Sequence, residues 1–293
     1  MSTRVLPDFS LIPSESLKAA IELVDRFQNG GQMIAGGTDL LVAMKSGSAN
    51  PDTLIQIGAL EELNFVEYND DTGLKIGPLT TIRDVEIIPI FGKVFRLFVE
   101  AANGFANTQL LNMASIGGNI CNASPAGDML PPLLCMNANI DLQSTAGKRN
   151  VKLINFFIGP GKTVMKKNEI LVSINAPALP LSYGSNFVRI RRTEEDLVKV
   201  SASVVLNVVD GKFNDVRVAL GAVAPTPIRV SDVEDYLDGR IVDDATIEKA
   251  GLIARDAIVP ISDLRSTATY RKQVTAYAVE SAIRSSIERS ISQ

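Results

Sequence analysis

The chain has 293 residues, 46% hydrophobic and 21% charged, with a formal net charge of −4. That composition excludes wholesale disorder and gives no electrostatic reason to expect nucleic acid or an anionic membrane as the partner. There is no histidine, and the two cysteines are Cys121 and Cys135, which excludes a Ser-His-Asp triad, imidazole metal ligation and a four-thiolate iron–sulfur cluster, so redox chemistry here requires a bound cofactor.

Residues 1–11 hold one arginine and no long apolar run, so no secretory signal is predicted. No segment approaches the roughly 18 uninterrupted apolar residues of a membrane helix. Two unpatterned cysteines argue against a disulfide scaffold and fit a reducing compartment, and the cytoplasm is the expected location. Leu17, Ala20, Ile21, Val24 and Phe27 recur at helical spacing up to Gly30-Gly31. A short apolar strand at 32–35 breaks at Gly36-Gly37, and Leu40, Leu41 and Met44 start a short helix. Residues 53–57 predict a strand, and residues 65–68 and 74–76 flank a polar turn as a hairpin. Helical patterns follow at 82–87 and 91–102, and a second glycine turn, Gly117-Gly118, leads through a polar loop to an apolar segment beginning near Asp128.

After Pro177 and Pro180 the texture changes. Residues 187–192, 200–209 and 212–223 predict antiparallel strands, the last two joined at Asp210-Gly211, and 245–258 and 267–291 predict amphipathic helices. The fold class is α+β, with a domain boundary between residues 176 and 184. The domains are 1–176, divided into subdomains of about 1–57 and 58–176, and 177–293, an antiparallel sheet with helices.

Three glycine-containing loops are candidates for chemistry. Gly159-Pro160-Gly161-Lys162-Thr163 ends like a phosphate loop, but Phe156 stands where that motif needs its first glycine, so it predicts an ordinary turn before a strand. Ala35-Gly36-Gly37-Thr38-Asp39 allows positive φ and close approach of backbone N–H groups to an anion, with Asp39 placed to cap the following helix. Ser115-Ile116-Gly117-Gly118-Asn119 repeats that chemistry, and two such nests suit the two phosphates of a dinucleotide. Asp128 reads equally as an acceptor for ribose or ribityl hydroxyls and as a helix N-cap ahead of Pro131. Neither loop is the Gly-x-Gly-x-x-Gly of a nicotinamide-binding domain.

Residues 35–41, residues 115–120 and the segment Ala123-Ser-Pro-Ala-Gly-Asp128 resemble the two flavin motifs of the FAD subunit of molybdenum hydroxylases, the xanthine dehydrogenase and carbon monoxide dehydrogenase family. Arg191-Arg192 with Asp196 and Lys199-Val-Ser resembles the family's linker, and Asp263 through Tyr270-Arg271 resembles the start of its last helix. The similarity spans the chain in order. It implies a p-cresol methylhydroxylase-type FAD-binding domain in which Met33, Ile34, Ala35, Gly36, Gly37, Thr38, Asp39 and Leu40, with Ser115, Ile116, Gly117, Gly118 and Asn119, wrap the FAD pyrophosphate. Asp128 would then lie on its polyol. By position, Phe105 matches a family residue beside the flavin, Leu171 one that contacts the ring system, and Arg189 a basic residue near the cofactor. Each has a plain alternative: core aromatic, buried strand leucine, solvated strand-end arginine. Arg189 departs from the family's usual lysine, and Leu111 stands where relatives often carry arginine.

The resemblance further implies non-covalent FAD in this chain, [2Fe-2S] clusters in a small partner subunit, a molybdenum cofactor in a large one, NAD or NADP as acceptor, and a dimerised hetero-oligomer with neither nucleic acid nor membrane as partner. The rival expectations are a stand-alone flavin oxidoreductase of the same superfamily and a non-catalytic assembly or binding protein.

Overall fold

The computed structural model describes residues 5–193 and 196–291. Residues 1–4 of the N-terminal stretch considered as a signal lie outside the described residues. The chain opens with β1 (Ser10–Pro13), α1 (Leu17–Arg26), β2 (Gly31–Ile34), α2 (Leu40–Ser46) and β3 (Thr53–Gln56), and the strands form a parallel sheet in the order β1-β3-β2. Ser16 caps α1 by accepting from the Ala19 N–H. Ala20 and Ile21, with Val24 three to four residues on, turn inward onto a cluster with Ile55, Leu60 and Leu63. Met33 on β2 lies opposite Ile55 on β3, so β2 delivers the chain into the 35–39 loop at the carboxyl end of a parallel sheet, the end at which such sheets bind ligands.

Next come β4 (Val66–Asn69) and β5 (Gly73–Ile76), whose turn is fixed by the Asn69 side chain accepting from the Asp71 and Thr72 amides. Six short helices follow: α3 (Ile82–Ile87), α4 (Pro89–Lys93), α5 (Arg96–Ala102), α6 (Thr108–Met113), α7 (Ile116–Asn122) and α8 (Leu130–Cys135). The single helix expected at 91–102 is thus two, broken where Phe95 takes φ −118° and ψ 46°. The helical spacing survives the break because Phe91, Phe95 and Phe98 are all fully buried and meet edge-to-face. The second glycine pair is not a turn either. Gly117 and Gly118 lie in the first turn of α7, which Ser115 caps and Ile116 and Ile120 anchor in the core.

The hairpin of β6 (Asn139–Ser144) and β7 (Gly147–Lys152), the small hairpin of β8 (Phe157–Gly159) and β9 (Lys162–Thr163), and β10 (Ile170–Ala176) complete this part. They give a five-stranded sheet in the order β4-β5-β10-β6-β7 and a separate β8-β9 ribbon. The C-terminal sheet runs β11 (Gly184–Ile190), β12 (Val200–Val209), β13 (Lys212–Gly221) and β14 (Ile228–Arg229) in that order, antiparallel throughout, with α9 (Ser231–Leu237), α10 (Asp244–Ala257) and α11 (Ala268–Ile291). Alternate β12 residues Val200, Ala202, Val204 and Leu206 join Ala278, Val279, Ala282 and Ile283 of α11 in one core. The opposite face, with Val205 and Ala219, packs into the core of the first part. There every residue of α8 is buried, and the Cys135 thiol approaches the Ser203 carbonyl at 3.2 Å. No helix among the described residues is long and apolar enough to cross a membrane.

Candidate functional site

A cavity of about 370 Å³ opens between the 35–39 loop and the start of α7. Gly36 lets the two walls meet: a Cβ there would stand 1.8 Å from the Met113 carbonyl oxygen. Gly37 has φ +70°, a conformation open to glycine at no steric cost. The tight loop leaves backbone donors unused. Among the described residues, the N–H groups of Gly36, Gly37, Thr38 and Asp39 have no acceptor in the chain. The expected cap from Asp39 is not made. Asp39 instead lines the cavity, where partial desolvation of an otherwise exposed residue raises its pKa. Among the described residues, no lysine or arginine lines the cavity.

The second glycine pair works differently from the first. The Ile116 and Gly117 N–H groups donate to the Thr80 and Pro78 carbonyls, each at 2.9 Å, and the Gly118 N–H donates to Ser115 Oγ at 3.1 Å. These donors are engaged, so this segment is a wall, not a second nest. Gly117 is needed for close packing, because a Cβ would come within 2.4 Å of the Pro78 side chain, while a Cβ on Gly118 would meet only Ser115 Oγ, at 3.1 Å. Asn119 lines the cavity, and its Oδ1 is buried without a hydrogen-bond partner.

Of the residues singled out from sequence, Met33, Ile34, Ala35, Gly36, Gly37, Thr38, Asp39, Leu40, Phe105, Ser115, Gly117, Gly118, Asn119 and Leu171 line this one cavity. Ile116 does not; its side chain is fully buried in the core. Asp128 and Arg189 also stand outside the lining. Asp128 is not a helix cap, since Met129 occupies that position in α8. It pairs with Arg189 at 3.2 Å, with side chains 15% and 7% exposed respectively, so Arg189 is not the solvated strand-end arginine either. Burial pushes the Asp128 carboxyl up despite the neighbouring guanidinium, and pulls Arg189 down.

The sequence motifs do not mark Met113, Met165 or Ile170, which also line the cavity, as do Cys121 and Gly161, the latter from the loop read as an ordinary turn. Gly161 arrives because its N–H donates to the Ala123 carbonyl at 3.0 Å, a long-range contact with no local signature. Cys121 Sγ lies 3.9 Å from Met165 Sδ, and burial pushes its thiol up to about 12. Free donors in the middle, an orphaned acceptor and apolar walls of Phe105, Ile170 and Leu171 suit a ligand with an anionic centre and flat apolar ends. FAD has that form.

Comparison with known proteins agrees. The model for the FAD binding domain in molybdopterin dehydrogenase matches residues 7–179, and that for the CO dehydrogenase flavoprotein C-terminal domain matches residues 185–286. The chain is 32% identical to the glyceraldehyde dehydrogenase medium chain of Sulfolobus acidocaldarius, over 92% of this chain and 94% of the relative. It is 28% identical to the carbon monoxide dehydrogenase medium chain of Hydrogenophaga pseudoflava, over 94% and 96%. A solved structure of carbon monoxide dehydrogenase from Hydrogenophaga pseudoflava superposes with a TM-score of 0.94 at 29% identity, covering 97% of this chain and 99% of that one. The chain belongs to the FAD-binding medium subunits of the molybdenum hydroxylase family, and is an oxidoreductase subunit of that class.

Proposed function

We propose that this cavity holds FAD non-covalently and that the chain relays electrons from the [2Fe-2S] clusters of a small partner subunit to NAD or NADP. A molybdenum cofactor on a large subunit would feed those clusters, and the complex would be a dimerised hetero-oligomer of the cytoplasm. The observation that carries the reading is the set of four adjacent N–H groups at residues 36–39 with no acceptor of their own, in a wall without lysine or arginine. Four adjacent backbone donors left open beside one cavity at the start of a helix fit a diphosphate bound by backbone amides. When bound, FAD supplies the capacity to exchange electrons singly with metal clusters and in pairs with a nicotinamide.

The chain's own residues bind and orient it. The amides of residues 36–39 and the Thr38 hydroxyl hold the diphosphate. The Asp39 carboxyl and Asn119 Oδ1 accept from hydroxyl or amino groups. Phe105, Ile170 and Leu171 exclude water along the ring. Attachment is non-covalent because the chain has no histidine, no tyrosine lines the cavity, and the Cys121 thiol stays protonated at neutral pH. Asp128 and Arg189 serve the site from behind its wall.

The test is anaerobic absorbance of the flavin band, given the same reductants for the isolated chain and the assembled complex. A hydroxylase substrate should bleach the flavin in the complex and leave the isolated chain oxidised, while NAD(P)H should reduce both. Reduction of the isolated chain by a hydroxylase substrate would replace the relay with a stand-alone oxidase.

A further inference from the structure

The loop between α5 and α6 carries Phe105 to the cavity in a conformation that has to be held. Gly104 has φ +75° and Ala106 φ +103°, so a residue with a side chain sits next to Phe105 in the half of backbone space that favours glycine. The restraint comes from the C-terminal domain. Arg189 on β11 donates Nη1 to the Asn103 carbonyl at 3.0 Å and Nη2 to the Ala101 carbonyl, while its Nε bonds Asp128 at 3.2 Å. Arg191, just past the strand, donates Nη1 to the Gly104 carbonyl. These carbonyls lie where α5 ends at Ala102 and its helical ladder stops. Gly104 and Arg191 also fit face to face, since a Cβ at Gly104 would stand 2.6 Å from Nη2 of Arg191.

We propose that Arg191, with Arg189 beside it, is a positioning residue that fixes the 103–106 turn and so aims Phe105 into the cofactor cavity. A guanidinium spans neighbouring carbonyls as a planar fork, which an ammonium cannot do. Arg189, which takes the Ala101 and Asn103 carbonyls at once, is thereby a structural brace from one domain to the other. Arg191 itself is not among the residues lining the cavity, so its effect on the cofactor passes through the turn. The consequence for the flavin rests on the function proposed above; the brace does not.

The experiment uses the full-length chain, stripped of flavin and reloaded, as wild type, Arg191→Gln, Arg191→Lys, Phe105→Leu and the double variant Arg191→Gln/Phe105→Leu. In the stripped chain, hydrogen exchange followed by mass spectrometry reports the Phe105 amide, which bonds the Ala102 carbonyl at 2.9 Å. Exchange over residues 103–107 should quicken at least tenfold in Arg191→Gln, with β12 and β13 unchanged, and Arg191→Lys should fall between. In the reloaded chain, flavin circular dichroism should shift in the same sense in Arg191→Gln and Phe105→Leu, with the double variant no further displaced than Phe105→Leu alone. Wild-type exchange over 103–107 in Arg191→Gln would overturn the proposal, as would a quickening spread evenly through the chain or additive shifts in the double variant. Failure of the stripped wild type to take up FAD would sink the proposed function and leave the exchange result to decide the brace.

Discussion

Gly37 holds φ at +70° and Gly211, in the hairpin between β12 and β13, holds +71°. Alanine at either position pays the same backbone penalty of about 1–2 kcal/mol. Space adds little: a Cβ on Gly37 would press on Leu41 and Ile34 side-chain carbons at 3.1 and 3.2 Å, which have to give by a few tenths of an ångström, and one on Gly211 would meet nothing within 4 Å. Gly37→Ala and Gly211→Ala should therefore melt lower by similar amounts, roughly 2–8 °C. Flavin binding should separate them. Relief of strain at residue 37 rotates the peptide units on either side and swings the unbonded amides away from a common centre. Losing two hydrogen bonds to a charged group, at about 1.5 kcal/mol each, weakens FAD binding roughly a hundredfold. Titration calorimetry of FAD into the stripped chain, beside thermal melts of the same preparations, measures both quantities. A Kd for Gly37→Ala within threefold of wild type, or equal losses of affinity in the two variants, would refute the amide cradle.

Gly118→Val should retain the fold, because the position is helical and a Cβ there meets only the Ser115 hydroxyl, and valine has a higher helix propensity than glycine by a few tenths of a kcal/mol; flavin content after gel filtration should nevertheless collapse, and full occupancy would contradict the placement of α7 as a cavity wall. Glu169 accepts from Arg149 at 2.6 and 2.8 Å and from the Lys166 amide, and the Arg149 hydrogen bond leads in holding its carboxyl below the usual glutamate range. The stability it contributes is present above the ordinary glutamate value and lost as pH falls through the lowered one, so melts between about pH 5 and 3 should slope less steeply in Glu169→Gln than in wild type; identical slopes would exclude the pair as an acid-sensitive contact. Burial pushes both cysteine thiols up to about 12, so neither should react with iodoacetamide at pH 8 until the chain unfolds, and prompt labelling of native Cys121 would show a thiolate in the cavity.

Sequence made the first glycine loop legible because its cues are local: a short apolar strand, two glycines and an apolar helix. The difference between the two glycine pairs was not, since it depends on whether carbonyls from elsewhere reach the amides. Pro78 and Thr80 reach those at Ile116 and Gly117, and none reaches those at residues 36–39. Asp128 and Arg189 each offered a local role, cap and strand end, yet they pair across 61 residues. The β6–β7 hairpin escaped detection because only Ile140 and Leu142 of β6 are buried among polar neighbours, too thin an alternation to announce a strand. The break at Phe95 was hidden for the opposite reason, as its apolar spacing runs through unbroken.

Among the described residues, every one that lines the cavity precedes β11, the last of them being Leu171, so the C-terminal domain meets the site only through the elements that form it. Its sheet covers α8, whose residues are all buried, and without that cover the helix would expose Leu130, Leu133, Leu134 and Cys135 to water. Its polar side chains then fix one helix of the first part from several directions. Glu100 on α5 receives the Phe187 N–H at 2.9 Å and pairs with Arg289 of α11 at 2.6 Å, while Arg189 and Arg191 take the carbonyls at the end of that helix. Such paired contacts contribute little to net stability but specify geometry. On the function proposed above, that geometry would matter more to the flavin than additional contacts, because it would set how the rings are presented to their redox partners. The parallel sheet and α7 form the cavity; the second domain keeps the turn bearing Phe105 in register with it.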